Sequence, residues 1–200
     1  MRRRQGAKGQ SRSGRLHGQI AQADCPGRAV PLSSRFVLLG ILSDSHGKVD
    51  ATRAAVDLLR NRGAEYLIHC GDVGGEPILD LLAGDAPPAA FVWGNNDYDR
   101  QNLARYAKSI GVTCLDVLGS LELDGKKIAV THGDHGGLVR RVLDAQDHDY
   151  LLVGHSHVPA DQRVGRVRVI NPGALYRAAA KTVALLDLAG DTLELLTLAR

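Results

Sequence analysis

The chain has 200 residues, 44% of them apolar and 24% charged, which suits one well-buried globular domain and leaves too little length for two large ones. Its longest apolar run, around Phe36 to Leu42, is far shorter than the roughly 20 residues a spanning helix needs, so no membrane partner is expected. The net charge of +3 conceals an asymmetry: residues 1–35 carry seven Arg and one Lys against Asp24, a balance of +7, and the remaining 165 residues therefore sum to −4. A basic arm makes nucleic acid a candidate partner, but the acidic remainder does not indicate a duplex-binding face.

Residues 1–34 are rich in Arg, Gly, Ser and Gln and cannot bury enough apolar area to offset the entropy of ordering. They read as a basic, disordered extension, and residues 35–200 as a single domain. No apolar stretch follows the basic start, so a cytoplasmic location is expected rather than secretion. Cys25, Cys70 and Cys114 are odd in number and show no CxxC spacing, which indicates neither a disulfide framework nor a zinc knuckle.

From Phe36 the pattern changes. FVLLGILSD reads as a buried parallel strand ending at polar residues. Lys48 to Arg62 places Val49, Thr52, Ala55, Val56, Leu58 and Leu59 at helical spacing, with Gly63 suited to the left-handed position after the helix. A strand at Glu65–Cys70, a helix at Glu76–Ala83, a strand at Ala89–Trp93 and a helix from Asp99 to Ile110 continue the alternation, which implies βαβ units and a parallel sheet. Short strands are expected at Thr113–Val117, Ser120–Leu123 and Lys127–Thr131, the last two joined by an Asp124-Gly125 turn. A helix over Gly137–Leu143 follows, then strands at Tyr150–Val153 and Arg166–Ile170, and a C-terminal antiparallel hairpin in KTVALLDLAGDTLELLTL.

Residues with ligand chemistry follow five of these strands. They are Asp44-Ser45-His46, Gly71-Asp72, Gly94-Asn95-Asn96-Asp97, His132-Gly133 and Gly154-His155-Ser156-His157. The carboxyl edge of a parallel sheet is where side chains project into a crevice, so five successive strand ends presenting oxygen and nitrogen donors point to metal binding. Two carboxylates, one amide oxygen and four imidazoles, with no thiolate, suit Mn, Fe, Zn, Co or Ni better than Ca. Seven donors exceed one tetrahedral zinc site and match two metals about 3.5–4 Å apart sharing a carboxylate.

The order DxH, GD, GNxD, HG and GHxH resembles the calcineurin-like metallophosphoesterase superfamily, and LIHCGDV and INPG are similar to its small bacterial and archaeal phosphodiesterase branch. The resemblance implies a four-layer α/β/β/α sandwich of two mixed sheets over about residues 36–200. It implies Asp44, His46 and His157 on one metal, Asp72 bridging, and Asn95, His132 and His155 on the other. Two divalent cations are implied, manganese foremost with Fe, Zn, Ni or Co as alternatives, together with attack of a metal-bridging hydroxide on a small phosphodiester. A homodimer is common among related proteins. The family often has His where this chain has Asn96; Asn96 has no titratable proton, so it would stabilise the phosphoryl group by hydrogen bonding and not act as a general acid. His135 is an alternative source of that proton, or an exposed loop residue. His69 reads as support behind the ligands or as core, Asp97 as an anchor of the Asn95 loop, and Ser45 and Ser156 as small spacers. Asn171-Pro172-Gly173 is a turn that the resemblance places near the metals. The competing reading is a non-catalytic metal-binding scaffold of the same fold, like the retromer subunit, and retention of all seven ligand positions favours an enzyme.

Overall fold

A computed structural model describes residues 37–84 and 87–199. The expected extension over residues 1–34 lies outside the described residues. Among them, no helix is long and apolar enough to cross a membrane.

Strand β1 (Leu38–Leu42) leads into helix α1 (Val49–Asn61), strand β2 (Tyr66–His69) into α2 (Glu76–Leu82), and strand β3 (Ala89–Phe91) into α3 (Arg100–Ser109) and strand β4 (Thr113–Cys114). Strands β1 to β4 run parallel in sequence order. The C-terminal strands β10 (Thr182–Asp187) and β11 (Thr192–Thr197) extend the same sheet antiparallel from β1, giving the order β11-β10-β1-β2-β3-β4. A second sheet has the order β5-β6-β7-β9-β8, from β5 (Leu118–Leu123), β6 (Lys126–Thr131), β7 (Tyr150–Leu152), β8 (Ala160–Val164) and β9 (Val167–Asn171). Strands β6, β7 and β9 are parallel; β5 and β8 flank them antiparallel. Helix α4 (Gly136–Ala145) connects β6 to β7.

The two-residue period of each strand sorts its side chains between layers. Leu39 and Ile41 of β1, Ile68 of β2, Ile128 and Val130 of β6, and Tyr150 and Leu152 of β7 form one buried cluster between the sheets. Their neighbours Leu42, Leu67, Ala89 and Phe91 face outward into a second cluster with Ala55, Val56 and Leu59 of α1, Ile78 and Leu79 of α2, and Leu103 of α3. On the far side of the second sheet, Ala129, Leu151, Val167 and Val169 pack with Val142 of α4. Helix, sheet, sheet and helix therefore form four layers, as the family resemblance implies.

Helix α1 closes tightly on the first sheet at Gly40, where a Cβ would meet Leu67 Cδ2 at 2.7 Å and Leu59 Cδ1 at 3.1 Å. The helix ends as its sequence suggests, with Gly63 at φ +87°. Asp124 and Gly125 are both left-handed, at φ +49° and +69°, the geometry of a tight hairpin turn.

Two expectations differ from what is found. The strand expected at Thr113–Val117 stops at Cys114, because Asp116 turns left-handed at φ +61° and only then does β5 begin, two residues earlier than Ser120. Strand β8 has no counterpart in the sequence reading. Its residues ADQRV are almost wholly exposed, so they show no apolar alternation. It pairs antiparallel with β9 along its whole length, and the Arg168 guanidinium ties it further by donating to Asp161 Oδ1 at 2.8 Å and Oδ2 at 2.7 Å.

Candidate metal centre

Every ligand-type residue singled out in the sequence lies beyond the carboxyl end of a parallel strand: β1 for Asp44 and His46, β2 for Asp72, β3 for Asn95 and Asn96, β6 for His132, and β7 for His155 and His157. Backbone pairing continues past the strands and fixes these loops against one another. The Asp44, His46 and Gly47 N–H groups donate to the carbonyls of Gly71, Asp72 and Val73 at 3.0, 2.9 and 3.1 Å, and Gly154 N–H donates to His132 O at 2.9 Å.

The loops are strained where the donors sit. Asp44, His46, Asp72, His155 and His157 all have positive φ, between +44° and +64°. Such a backbone is uncommon outside glycine and costs of order 1 kcal/mol each, and it persists where surrounding structure imposes it, commonly at functional sites.

The donor atoms converge. Asp44 Oδ1 lies 3.1 Å from His157 Nε2 and 3.9 Å from both His46 Nε2 and His132 Nε2. Asp72 Oδ2 lies 3.3 Å from His46 Nε2 and from His132 Nε2. Asp44, His46 and His157 form one group able to hold an ion, and Asp44, Asp72 and His132 a second. Asn95 Oδ1 is 3.1 Å from His132 Nε2, and the His155 ring centroid is 5.1 Å from that of His132.

The residues fit a metal on their own chemistry. Asp44 Oδ1 and His46 Nε2 are buried polar atoms with no hydrogen-bond partner among the described residues, a costly arrangement unless a cation completes it. His132 Nδ1 is 2.8 Å from the Cys70 carbonyl, which can only accept, so Nδ1 keeps its proton and Nε2 is the nitrogen that faces Asp72 and Asn95 and would give up its proton to a cation. Neutral Nε2 and Asn95 Oδ1 are then two acceptors facing each other, as two ligands of one cation would be.

Neighbours hold the carboxylates in place. Asp72 accepts from the Asn96 backbone N–H at Oδ1 and from the Asn96 side-chain amide at Oδ2, both at 2.8 Å. Burial alone would raise the Asp72 carboxyl, but without a cation the protonated His132 Nε2 donates to it, and that bond together with the two from Asn96 outweighs burial and holds it well below the usual carboxylate range. Asp44 Oδ2 accepts from Ser43 Oγ at 2.6 Å and from the His155 N–H at 3.1 Å, which leaves Oδ1 free. Asp97 is buried and ties two loops, accepting from the N–H groups of Val73, Gly74 and Gly94 at 3.2, 3.0 and 2.9 Å.

Three side chains do more than their positions in the sequence indicate. Ser45 is more than a small spacer: its hydroxyl sits 2.8 Å from His69 Nε2 and 3.0 Å from Thr52 Oγ1. Since Gly71 N–H donates to His69 Nδ1 at 3.2 Å, Nε2 carries the proton, and a chain runs from His69 through Ser45 and Thr52 to the Lys48 carbonyl. Ser156 Oγ likewise accepts from Asn171 at 3.1 Å and from Val158 N–H at 3.3 Å. Asn171 acts through its side chain, donating also to Gly154 O at 2.8 Å, so β9 contributes a sixth strand end to the centre. The signal for it was the position of Asn171 at the close of an apolar strand. His135 is exposed beside Asp134, as expected of a loop residue.

Burial, followed by the nearby His132, pushes the fully buried His69 imidazole down to about 3 from 6.5. Unfolded His69 takes up a proton below about pH 6.5 while the folded residue does not, so the unfolded state gains as pH falls through that window. Chelated protein is expected to lose stability from this group at up to about 1.4 kcal/mol per pH unit between pH 6.5 and 4, and none above pH 6.5. The variant His69→Gln should flatten that part of the curve in denaturant titrations. Parallel curves for variant and wild type would locate the acid sensitivity elsewhere.

Two mixed sheets whose parallel strands deliver imidazoles, carboxylates and an amide to one crevice define a metallohydrolase centre. The calcineurin-like phosphoesterase superfamily domain matches residues 37–191, and the chain belongs to that superfamily, which places it among phosphoester hydrolases. It is similar to the phosphodiesterase MJ0936 of Methanocaldococcus jannaschii, 30% identical over 152 residues that span 74% of this chain and 92% of that one. A solved archaeal phosphodiesterase superposes with a TM-score of 0.76 at 28% identity, covering 81% of this chain and 100% of the other. Vacuolar protein sorting 29 of Cryptosporidium parvum shares the fold, with a TM-score of 0.56 at 18% identity over 82% of this chain and 97% of its own.

Proposed function

We propose that the protein hydrolyses small phosphodiesters at a centre of two divalent cations, with Asp44, His46 and His157 holding one, Asn95, His132 and His155 the other, and Asp72 shared. The observation that carries this reading is the pair of buried, unpartnered donors Asp44 Oδ1 and His46 Nε2 facing Asp72, His132 and His157 across 3.1–3.9 Å. Bound there, the cations would acidify a water and screen charge gathering on the phosphoryl oxygens. The phosphodiesterases to which the chain is similar support the diester as substrate.

The protein's own residues set the geometry. Asn96 orients Asp72 through two hydrogen bonds and stands at the rim of the centre, exposed, where its amide can turn to a phosphoryl oxygen. It has no proton to give, so esters with good leaving groups are favoured over alkyl monoesters. Manganese is the cation we expect first, because an oxygen- and nitrogen-rich set without thiolate suits it, and we place the enzyme in the cytoplasm.

The test is hydrolysis of bis(4-nitrophenyl) phosphate and 4-nitrophenyl phosphate after chelation, with Mn, Fe, Zn, Ni and Co restored in turn. Chelation should abolish turnover, at least one metal should restore it, and the diester should be cleaved faster. Failure to cleave either ester with any metal would favour the scaffold reading instead.

A further inference from the structure

One flank of the metal centre carries an excess of positive charge. The Tyr176 ring packs on His46, with 4.9 Å between centroids. Lys48 Nζ and the Arg177 guanidinium each lie 5.0 Å from the centroid of the same ring. Together with Lys181 and Asp50 these residues line a cavity of about 430 Å3 beside the start of α1. Among the described residues, Lys48, Arg177 and Lys181 form no ion pair, so their charge stays available to a ligand. A ring attracts a cation through its quadrupole and leaves the charge in place, so Tyr176 gathers positive potential without cancelling it. Asp50 is the one acid against three cations.

The opposite flank differs. Beyond Asn96 lies a cavity of about 460 Å3 lined by Glu76, Asp97, Tyr98 and Asp99, with no Lys or Arg in its wall. The two cavities lie to either side of the contact between Gly47 and Gly74, one of which lines each. A phosphodiester centred on the metals has two arms, and flanks of opposite character would sort them.

We propose that the cavity of Lys48, Tyr176, Arg177 and Lys181 is a subsite for a second phosphate, carried on one arm of the diester. This rests on the phosphodiesterase reading and narrows it: the preferred substrate is a nucleotide-type diester bearing a terminal phosphate, with its neutral arm over Asn96 and Tyr98.

The test compares thymidine 5′-(4-nitrophenyl phosphate) with the same ester carrying a 3′-phosphate, in the wild type and in the double variant Arg177→Ala/Lys181→Ala. Both side chains are exposed, so the fold tolerates their loss. The 3′-phosphate is expected to raise kcat/KM about tenfold in the wild type at low salt, mainly through KM, a gain that high salt screens away. The double variant should lose that gain while cleaving bis(4-nitrophenyl) phosphate within about twofold of wild type. No gain from the 3′-phosphate, or a gain that survives in the double variant, overturns the subsite and leaves the phosphodiesterase reading standing. Inactivity towards every ester fails that reading instead, and the subsite is then decided by calorimetry. Thymidine 3′,5′-bisphosphate should bind about tenfold tighter than thymidine 5′-monophosphate to the wild type and equally to the double variant; equal affinities in the wild type overturn it.

Discussion

Replacing Asp72 by Ala is expected to abolish metal-supported diester hydrolysis, by about a thousandfold or more, and to lower bound metal below the wild-type stoichiometry. Asp72 Oδ2 lies 3.3 Å from both His46 and His132, nearer to each than Asp44 Oδ1 at 3.9 Å, and Asp72 is fixed by two hydrogen bonds from Asn96. Its acidity is already set for the anionic form that a cation requires. Asn96→Ala makes the informative contrast. It removes the side-chain bond to Asp72 Oδ2 but keeps the backbone bond to Oδ1, so metal content should stay near normal while kcat falls about 10- to 100-fold. Elemental analysis alongside bis(4-nitrophenyl) phosphate kinetics separates the two variants. Wild-type metal content and turnover in Asp72→Ala would remove Asp72 from the centre.

Gly94→Ala should destabilise the fold by about 3 kcal/mol and disable the centre together. A Cβ at Gly94 would lie 2.1 Å from Asp72 Oδ1 and 2.3 Å from the Asp72 backbone nitrogen. Neither neighbour can retreat cheaply. Asp72 N belongs to the loop pinned by Asp97, and Oδ1 is held by Asn96. The glycine is therefore required by close approach of two backbones and not by a turn, since it is not among the left-handed glycines. Urea denaturation of the chelated protein reads the stability, and a loss smaller than about 0.5 kcal/mol would show that the β2 and β3 loops can part without cost.

Most of the architecture was legible because burial writes itself into apolar spacing. The strands that became β1, β2, β3, β6 and β7 are short, apolar and end at Gly, Ser or ligand-type residues, and each formed within a few residues of its expected bounds. Strand β8 was not legible, because an edge strand paired with β9 and tied further by an Arg168–Asp161 pair buries no apolar face. The break at Asp116 was hidden for a similar reason: a left-handed residue leaves no mark in a run of apolar neighbours.

The donor set and the chemistry it suits follow from sequence alone, since residue type and position at strand ends need no coordinates. What only the tertiary structure decided is which atoms are left without partners. Asp44 has one oxygen satisfied by Ser43 and His155 and the other bare, and His132 is turned by the Cys70 carbonyl so that Nε2 faces inward. Ser45, Ser156 and Asn171 became supports of the centre, and Tyr176 came to gather Lys48 and Arg177 beside it. These pairings join residues up to more than a hundred positions apart. Hydrogen bonds and charge act over a few ångströms of space, and only the folded sheets bring such residues within that range.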